Sequence, residues 1–372
     1  MHTKRVLGAI SLAATLTLVG AACANNDDAA QTPSAGVDSP TTTPAPPTTP
    51  ATTTGKADYA AAYDDVGEAY HHMFMTGDGL ASAIATQKNL GDVKTPAADL
   101  RITLDRLLGE HATLAIFAMQ KGLDGSKDFE AAAGLLDKNS DALGEAIGSV
   151  YGPDAKTAFL KQWKDHIRMF VDFTVGSATK DQAKRDGALN ELSQYKKSFG
   201  EFLGGATGLP PTAVGDLLQM HVNQLTGALD SYQSKDYAKA YAQAREAYAH
   251  MFDTGDGLAS AIAKQKGLGE VKTKASDLRV ALDRLLGEHA LLAVFAMQKG
   301  ADGKADFMPI AGALDKNSDD LGEAIGSVYG PEAKTAFLKQ WKDHIRMFVD
   351  FTVGSATKDQ AKRDGALNEL SQ

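Results

Sequence analysis

The sequence predicts an all-α protein: tandem helical hairpins forming four-helix-bundle-like units, with the arrangement duplicated along the chain. Three observations carry this expectation. A long stretch of sequence recurs 178 residues later, and a shorter repeat of 55 residues runs inside it. Apolar residues fall at helical spacing throughout the repeats, with no alternating pattern of useful length to suggest a strand.

The long repeat is nearly literal. Asp58-Tyr59 returns as Asp236-Tyr237 and Trp163 as Trp341, an offset of 178 in both cases (236 − 58 and 341 − 163). Between 151–194 and 329–372 the single difference is Asp154 against Glu332. The repeat defines a first unit over 58–235 and a truncated second unit over 236–372. Gln372 matches Gln194 inside a helical pattern, so the chain reads either as a fragment or as one whose last helix frays.

The short repeat sets the hairpins. His111, His166 and His221 lie 55 residues apart (166 − 111 and 221 − 166). Each is flanked at spacings of three, four and seven by apolar residues, as Leu104, Leu107, Leu108, Leu114 and Ala118 flank His111. Phe159, Trp163, Phe170 and Phe173 do the same for His166, and Val214, Leu217, Leu218 and Leu225 for His221. Each helix is then followed by a polar break with an Asp at the next start: Asp128, Asp181 and Asp236. A carboxylate at that position can accept one of the first backbone N–H groups of a helix. Pro153 and Pro210-Pro211 fit helix openings, while Gly122-Leu123-Asp124-Gly125, Tyr151-Gly152 and Gly204-Gly205 mark stops.

The N-terminus reads as an export signal. Lys4 and Arg5 precede an apolar run from Val6 to Val19, then Gly20, Ala21 and Ala22 lead to Cys23. Cys23 is the one cysteine of the chain, so no internal disulfide can form. Small residues before a lone cysteine resemble the lipobox of bacterial lipoproteins, in which the thiol is acylated. Gly20 stands where such boxes usually carry Leu. Residues 24–57 are crowded with Thr, Pro and Ala and hold almost no large apolar side chain. Such a segment cannot bury enough surface to order itself. At about 3.1 Å per residue it forms a tether with a reach on the order of 100 Å. The expected location is therefore the outer face of a bacterial cell envelope, with a lipid anchor as the contact to the membrane.

Composition narrows the function. The chain of 372 residues carries a net charge of -9, which argues against a nucleic-acid partner needing a basic footprint. Apolar residues make up 43% but aromatic ones 7%, so the core must rely on Ala, Leu and Val. No Gly-x-Ser-x-Gly elbow, Walker loop or dinucleotide fingerprint occurs, and no catalytic residues are assigned. The unmatched helices at the two ends of the repeat, opened by Asp58 and closed by Gln372, favour self-association.

The histidines are the candidate chemistry. His72, His111 and His166 recur as His250, His289 and His344. His111, His166 and His221 each sit on an apolar face, and a buried imidazole needs a hydrogen bond or a ligand. One reading is a core lock: aligned from their starting Asp residues, the second helices place Asn139, Tyr195 and His250 level with the three histidines, where each could bond its neighbour. The other is a transition-metal site, since neutral imidazole suits Zn, Cu and Ni, and bundle interiors assemble such sites. The hairpin of His221 and His250 is the foremost candidate, with Glu246 one turn before His250 and the thioethers of Met220 and Met251 alongside. Glu68, His72 and Met73 repeat that pattern. Glu110 and Asp165 adjoin a histidine but diverge from it by about 100° around the helix, toward solvent or Arg106 and Arg168. Met119, Met169, Met297 and Met347 read as flexible core filler.

These residues also carry a family resemblance. Leu-Leu-Gly-Glu-His at 107–111, Tyr-Gly at 151–152, Trp-Lys-Asp-His at 163–166, Met-His-Val-Asn-Gln-Leu at 220–225 and Ala-Tyr-Ala-His-Met-Phe at 247–252 resemble secreted helical bacterial proteins. That group goes under the label copper amine oxidase, or copper-amine-oxidase-like. The resemblance implies copper as a ligand. It does not carry the oxidase activity, because such enzymes build a quinone from the Tyr of an Asn-Tyr-Asp/Glu motif on a β-rich fold, and this chain has no Asn-Tyr dipeptide. The expectation is a non-enzymatic envelope protein binding copper or another transition metal through inward His and Met residues. The alternatives are a helical scaffold with histidine locks and, last, an amine oxidase.

Overall fold

The computed structural model describes residues 58–371. The export signal, Cys23, the tether over 24–57 and Gln372 lie outside the described residues. Eleven helices and no strand make up the described part. In chain order they are α1 (Tyr59–Lys88), α2 (Pro96–Leu123), α3 (Phe129–Tyr151), α4 (Pro153–Thr179), α5 (Gln182–Thr207), α6 (Pro211–Gln233), α7 (Tyr237–Lys266), α8 (Lys274–Ala301), α9 (Phe307–Tyr329), α10 (Pro331–Thr357) and α11 (Gln360–Leu370). None of them is long and apolar enough to cross a membrane.

Local chemistry fixes most ends. Asp181 and Asp236 accept backbone N–H groups of Lys184 and Lys239 at 3.0 and 3.3 Å, the caps that the sequence predicts. Thr95 caps α2 through Ala98 N, and Pro96, Pro153 and Pro211 occupy first helical positions, where the missing N–H costs nothing. Asp128 departs from expectation. Its carboxylate makes no cap and instead takes Lys121 Nζ at 2.7 Å and Tyr63 Oη at 2.9 Å, tying the start of α3 to α1 and α2. A buried ammonium needs this carboxylate more than the helix end does. Asp306 repeats the arrangement with Lys299 and Tyr241.

The predicted hairpins α2–α3, α4–α5, α6–α7, α8–α9 and α10–α11 pack as pairs. The heart of the molecule, however, is a four-helix layer made by exchange between the copies. α1 packs on α8, and α2 packs on its counterpart's partner α7. Equivalent residues therefore meet across a pseudo-twofold axis. Phe117 and Phe295 stack with centroids 3.6 Å apart, and Tyr70 meets Tyr248 with hydroxyls 3.3 Å apart. Contacts off the axis come in reciprocal pairs, as a two-fold demands. Arg101 binds Asp256 and Asp277, and Arg279 binds Asp78 and Asp99. Tyr151 reaches Gln265 and Tyr329 reaches Gln87.

Beside each arginine lies a buried acid that the arginine does not hydrogen-bond. Asp105 and Asp283 are fully buried, and neither carboxylate accepts a hydrogen bond from an arginine or lysine. Their own arginines stand 3.9 and 3.8 Å away but spend their N–H groups on the opposite copy. Burial pushes the Asp105 carboxyl well up and that of Asp283 up to about 9. Room for each comes from a glycine of the other copy. A Cβ on Gly77 would fall 3.1 Å from Asp283 Cα, and one on Gly255 3.0 Å from Asp105 N.

The copies differ in matched ways. In the first, Gly67 lies under Leu135, whose Cδ1 would be 3.1 Å from an added Cβ. In the second those positions are Arg245 and Ala313, so the larger side chain moves from one helix to the other. Arg245 then pairs with buried Glu288 at 2.8 Å. Glu110, the first-copy equivalent of Glu288, has only Asn139 at 2.9 Å as its hydrogen-bond donor.

Candidate metal centre

The 55-residue repeat sets one histidine at the same level in the first helix of three successive hairpins. α2 packs against both α4 and α6, so these helices converge and bring His111, His166 and His221 together. The imidazoles are 1%, 3% and 5% exposed. One ring nitrogen from each lies within 4.8 Å of the other two. His166 Nε2 and His111 Nε2 are 3.4 Å apart, and the His111 and His221 rings have centroids separated by 5.7 Å. His111 Nδ1 and both nitrogens of His221 have no hydrogen-bond partner.

Aromatic walls hold the rings. Trp163 lies against His111 and His166 at centroid distances of 4.6 and 4.5 Å. Tyr195 stacks on His166 at 5.2 Å, and Phe170 stands edge-on to His166 and His221. A buried cation is penalised here, so all three imidazoles are held neutral. Burial pushes His166 and His221 down to about 3, and His111 falls well below its ordinary range for the same reason, with its two neighbours adding to the effect.

Neutral imidazoles are what a transition metal requires, and an ion here would replace the single hydrogen-bond contact between His111 and His166. Metal–imidazole bonds of about 2.0–2.1 Å place two ligand nitrogens of one ion roughly 3.3–3.6 Å apart. The 3.4 Å between His111 and His166 already has that value. His221 needs a shift of about an ångström, within reach of a ring rotation. A groove of about 460 Å³ runs from His111 and His166 to the surface between α3 and α4, walled by Met119, Phe129, Leu136 and Phe170.

The second copy assembles two-thirds of this centre. His289 and His344 face each other with centroids 5.8 Å apart and Trp341 against both, beside a groove of about 230 Å³ walled by Met297 and Phe307. Among the described residues no third ligand group joins them.

The other predicted ligands lie elsewhere. His250 donates its Nε2–H to the carbonyl of Leu217 at 3.0 Å and does not enter the cluster. Met251 is buried and shares a small cavity of about 110 Å³ with His221, while Met220 is half exposed and Glu246 faces solvent. In the first copy Glu68 and His72 are exposed and Met73 is partly buried.

The level read from the sequence does hold two polar side chains, but with different partners. Asn139 donates to Leu107 O at 2.9 Å just as His250 donates to Leu217 O. Both reach the backbone four residues before the histidine and make no bond to the imidazole itself. Tyr195 stacks on His166 with its hydroxyl unpartnered. Asp165 lies 3.9 Å from Arg168 at the surface, whereas Glu110 is buried. The signal for the triad was the threefold recurrence of histidine on first helices. Spacing alone does not show that three hairpins close on one another.

No family model, curated protein or solved structure matches this chain.

Proposed function

We propose that this protein binds a transition-metal ion between His111, His166 and His221, and holds, buffers or hands over that ion outside a bacterial cell. The observation that carries the reading is the trio of buried imidazoles, neutral by burial, with nitrogens within 4.8 Å of one another and no polar partner at His221 or at His111 Nδ1. Leaving such groups buried without a partner costs about 1–3 kcal/mol apiece, and an ion would remove that cost. The export signal, acylation at Cys23 and the 24–57 tether would hold the helical body at the membrane surface. Binding rather than turnover suits a buried site with no acid–base pair beside it.

A second reading has its own observation. His250 acts as a hydrogen-bond lock on Leu217, and the triad could be a larger structural feature of a scaffold whose acidic surface meets an envelope partner. The two separate cleanly. Purified full chain is incubated with Zn, Cu or Ni, desalted and analysed for metal, alongside His166→Ala and His221→Ala. The metal reading expects one ion per chain, a raised melting temperature, and loss of both in the variants. Metal at background, with melting unchanged by any of the three ions, would leave the scaffold reading.

A further inference from the structure

Resting on the metal reading above, we infer that the ion taken by the triad is monovalent copper, Cu(I), in preference to Zn(II) or Cu(II). Imidazole nitrogen suits both copper and zinc, so donor type does not decide. Charge does. All three donors are neutral, and no carboxylate or thiolate belongs to the cluster. Glu110, next to His111 in sequence, turns to Asn139, and Asp165, next to His166, lies at the surface by Arg168. The remaining neighbours are the rings of Trp163, Phe170 and Tyr195.

The desolvation cost of an ion grows with the square of its charge, so a divalent ion costs roughly four times a monovalent one of like size in such a pocket. Partner anions normally offset that cost, and this pocket supplies none. Coordination number points the same way. Zn(II) completes a tetrahedron with a fourth ligand, a water or an anion at an open site. Here the space beyond His111 and His166 is the groove walled mainly by Met119, Phe129, Leu136 and Phe170, and its polar side chains are already engaged: Ser126 with Asp128, Thr174 with Phe170 O, and Asp137 at the surface with Lys164. Three imidazoles in a trigonal set satisfy Cu(I) without a fourth ligand.

The test is an anaerobic competition on the full chain. Cu(I) is presented as its bicinchoninate complex, and withdrawal of copper is read from loss of the complex's colour. The inference expects one Cu(I) withdrawn per chain, no release on adding an equal amount of Zn(II), and affinity at least about tenfold weaker in His221→Ala. X-ray absorption of the unaltered loaded chain needs no variant to fold. It should show a Cu(I) edge and three nitrogen neighbours at about 2.0 Å. Displacement by equimolar Zn(II) or Cu(II), or a bound oxygen or chloride as fourth neighbour, overturns the preference and leaves the metal site standing. Two copper ions per chain would also overturn it, because His289 and His344 would then suffice without a third imidazole. Failure of Cu(I), Cu(II) and Zn(II) alike defeats the metal reading itself.

Discussion

Tyr70 and Tyr248, equivalent residues 178 positions apart, share a hydrogen bond of 3.3 Å on the pseudo-twofold axis. Their roles differ although their sequences match. Tyr70 donates to Arg106 O at 3.0 Å, so the shared proton must come from Tyr248. Tyr70→Phe therefore strands a buried donor and should cost about 1–2 kcal/mol, while Tyr248→Phe strands only an acceptor lone pair and should cost less. Urea unfolding of the two variants gives the order. Equal losses would show that the axis is symmetric in its protons as well.

The glycines facing Asp105 and Asp283 set how closely the copies approach. An added Cβ at Gly77 or Gly255 meets backbone and should destabilise by about 1–3 kcal/mol. Gly79, also helical, has nothing within 4 Å, so Gly79→Ala should stabilise by about 0.5–1 kcal/mol through helix propensity. Opposite signs in thermal melts would bear out the close approach. A harmless Gly77→Ala would refute it.

Asp283 titrates near 9 in the folded chain, against a model-peptide value near 4. Between those values the folded state binds more protons than the unfolded one, so this group makes stability fall as pH rises from about 4 to about 9. Asp283→Asn removes that loss. Its melting temperature relative to the parent should climb steadily across the window and level off at both ends. A pH-independent difference would mean that the carboxylate is ionised when folded.

Histidine titration has the opposite sign. His166 and His221 titrate near 3 when folded, so the folded state binds fewer protons than the unfolded one between about 3 and 6.5, and stability is lost as pH falls through that range. The same depression weakens the competition of protons with an ion. Loaded protein should keep its metal at pH 5, where exposed imidazoles of pKa near 6.5 would be largely protonated. Dialysis at pH 5 followed by elemental analysis measures this; release parallel to an exposed histidine tag would contradict it.

His250 should behave as a lock. His250→Ala leaves the Leu217 carbonyl without its extra donor and should cost about 1 kcal/mol with metal content unchanged. Metal loss in this variant, with the melting temperature preserved, would move His250 into the ligand set.

The sequence carried the helices and hairpins because amphipathic spacing, prolines and capping aspartates are local. Pairing between copies was not legible. α1 and α7 share the same buried face, and so do α2 and α8, so the pattern satisfies pairing within a copy and between copies equally well. Arg101 and Asp78 stand in no local motif and acquire their meaning from exchange. The centre was half visible. Its three histidines stood out at intervals of 55, yet the sequence suggested a partner across each hairpin. Asn139 and His250 occupy that level but bond the backbone, and the imidazoles meet one another. Asp128 looked like a cap until Lys121, seven residues earlier, claimed it.

The exchange of α1 and α8 also has a price in time. Chains are made from the N-terminus at about 5–20 residues per second, and distant contacts form late because long loops must close first. α1 emerges first, but the helix that covers it arrives roughly two hundred residues later. Until then Tyr70, Phe74 and Phe117 have no counterpart, and the first half of the polypeptide must wait unfinished. Completion of the second half finishes both, so maturation ought to be a single late event rather than two in succession.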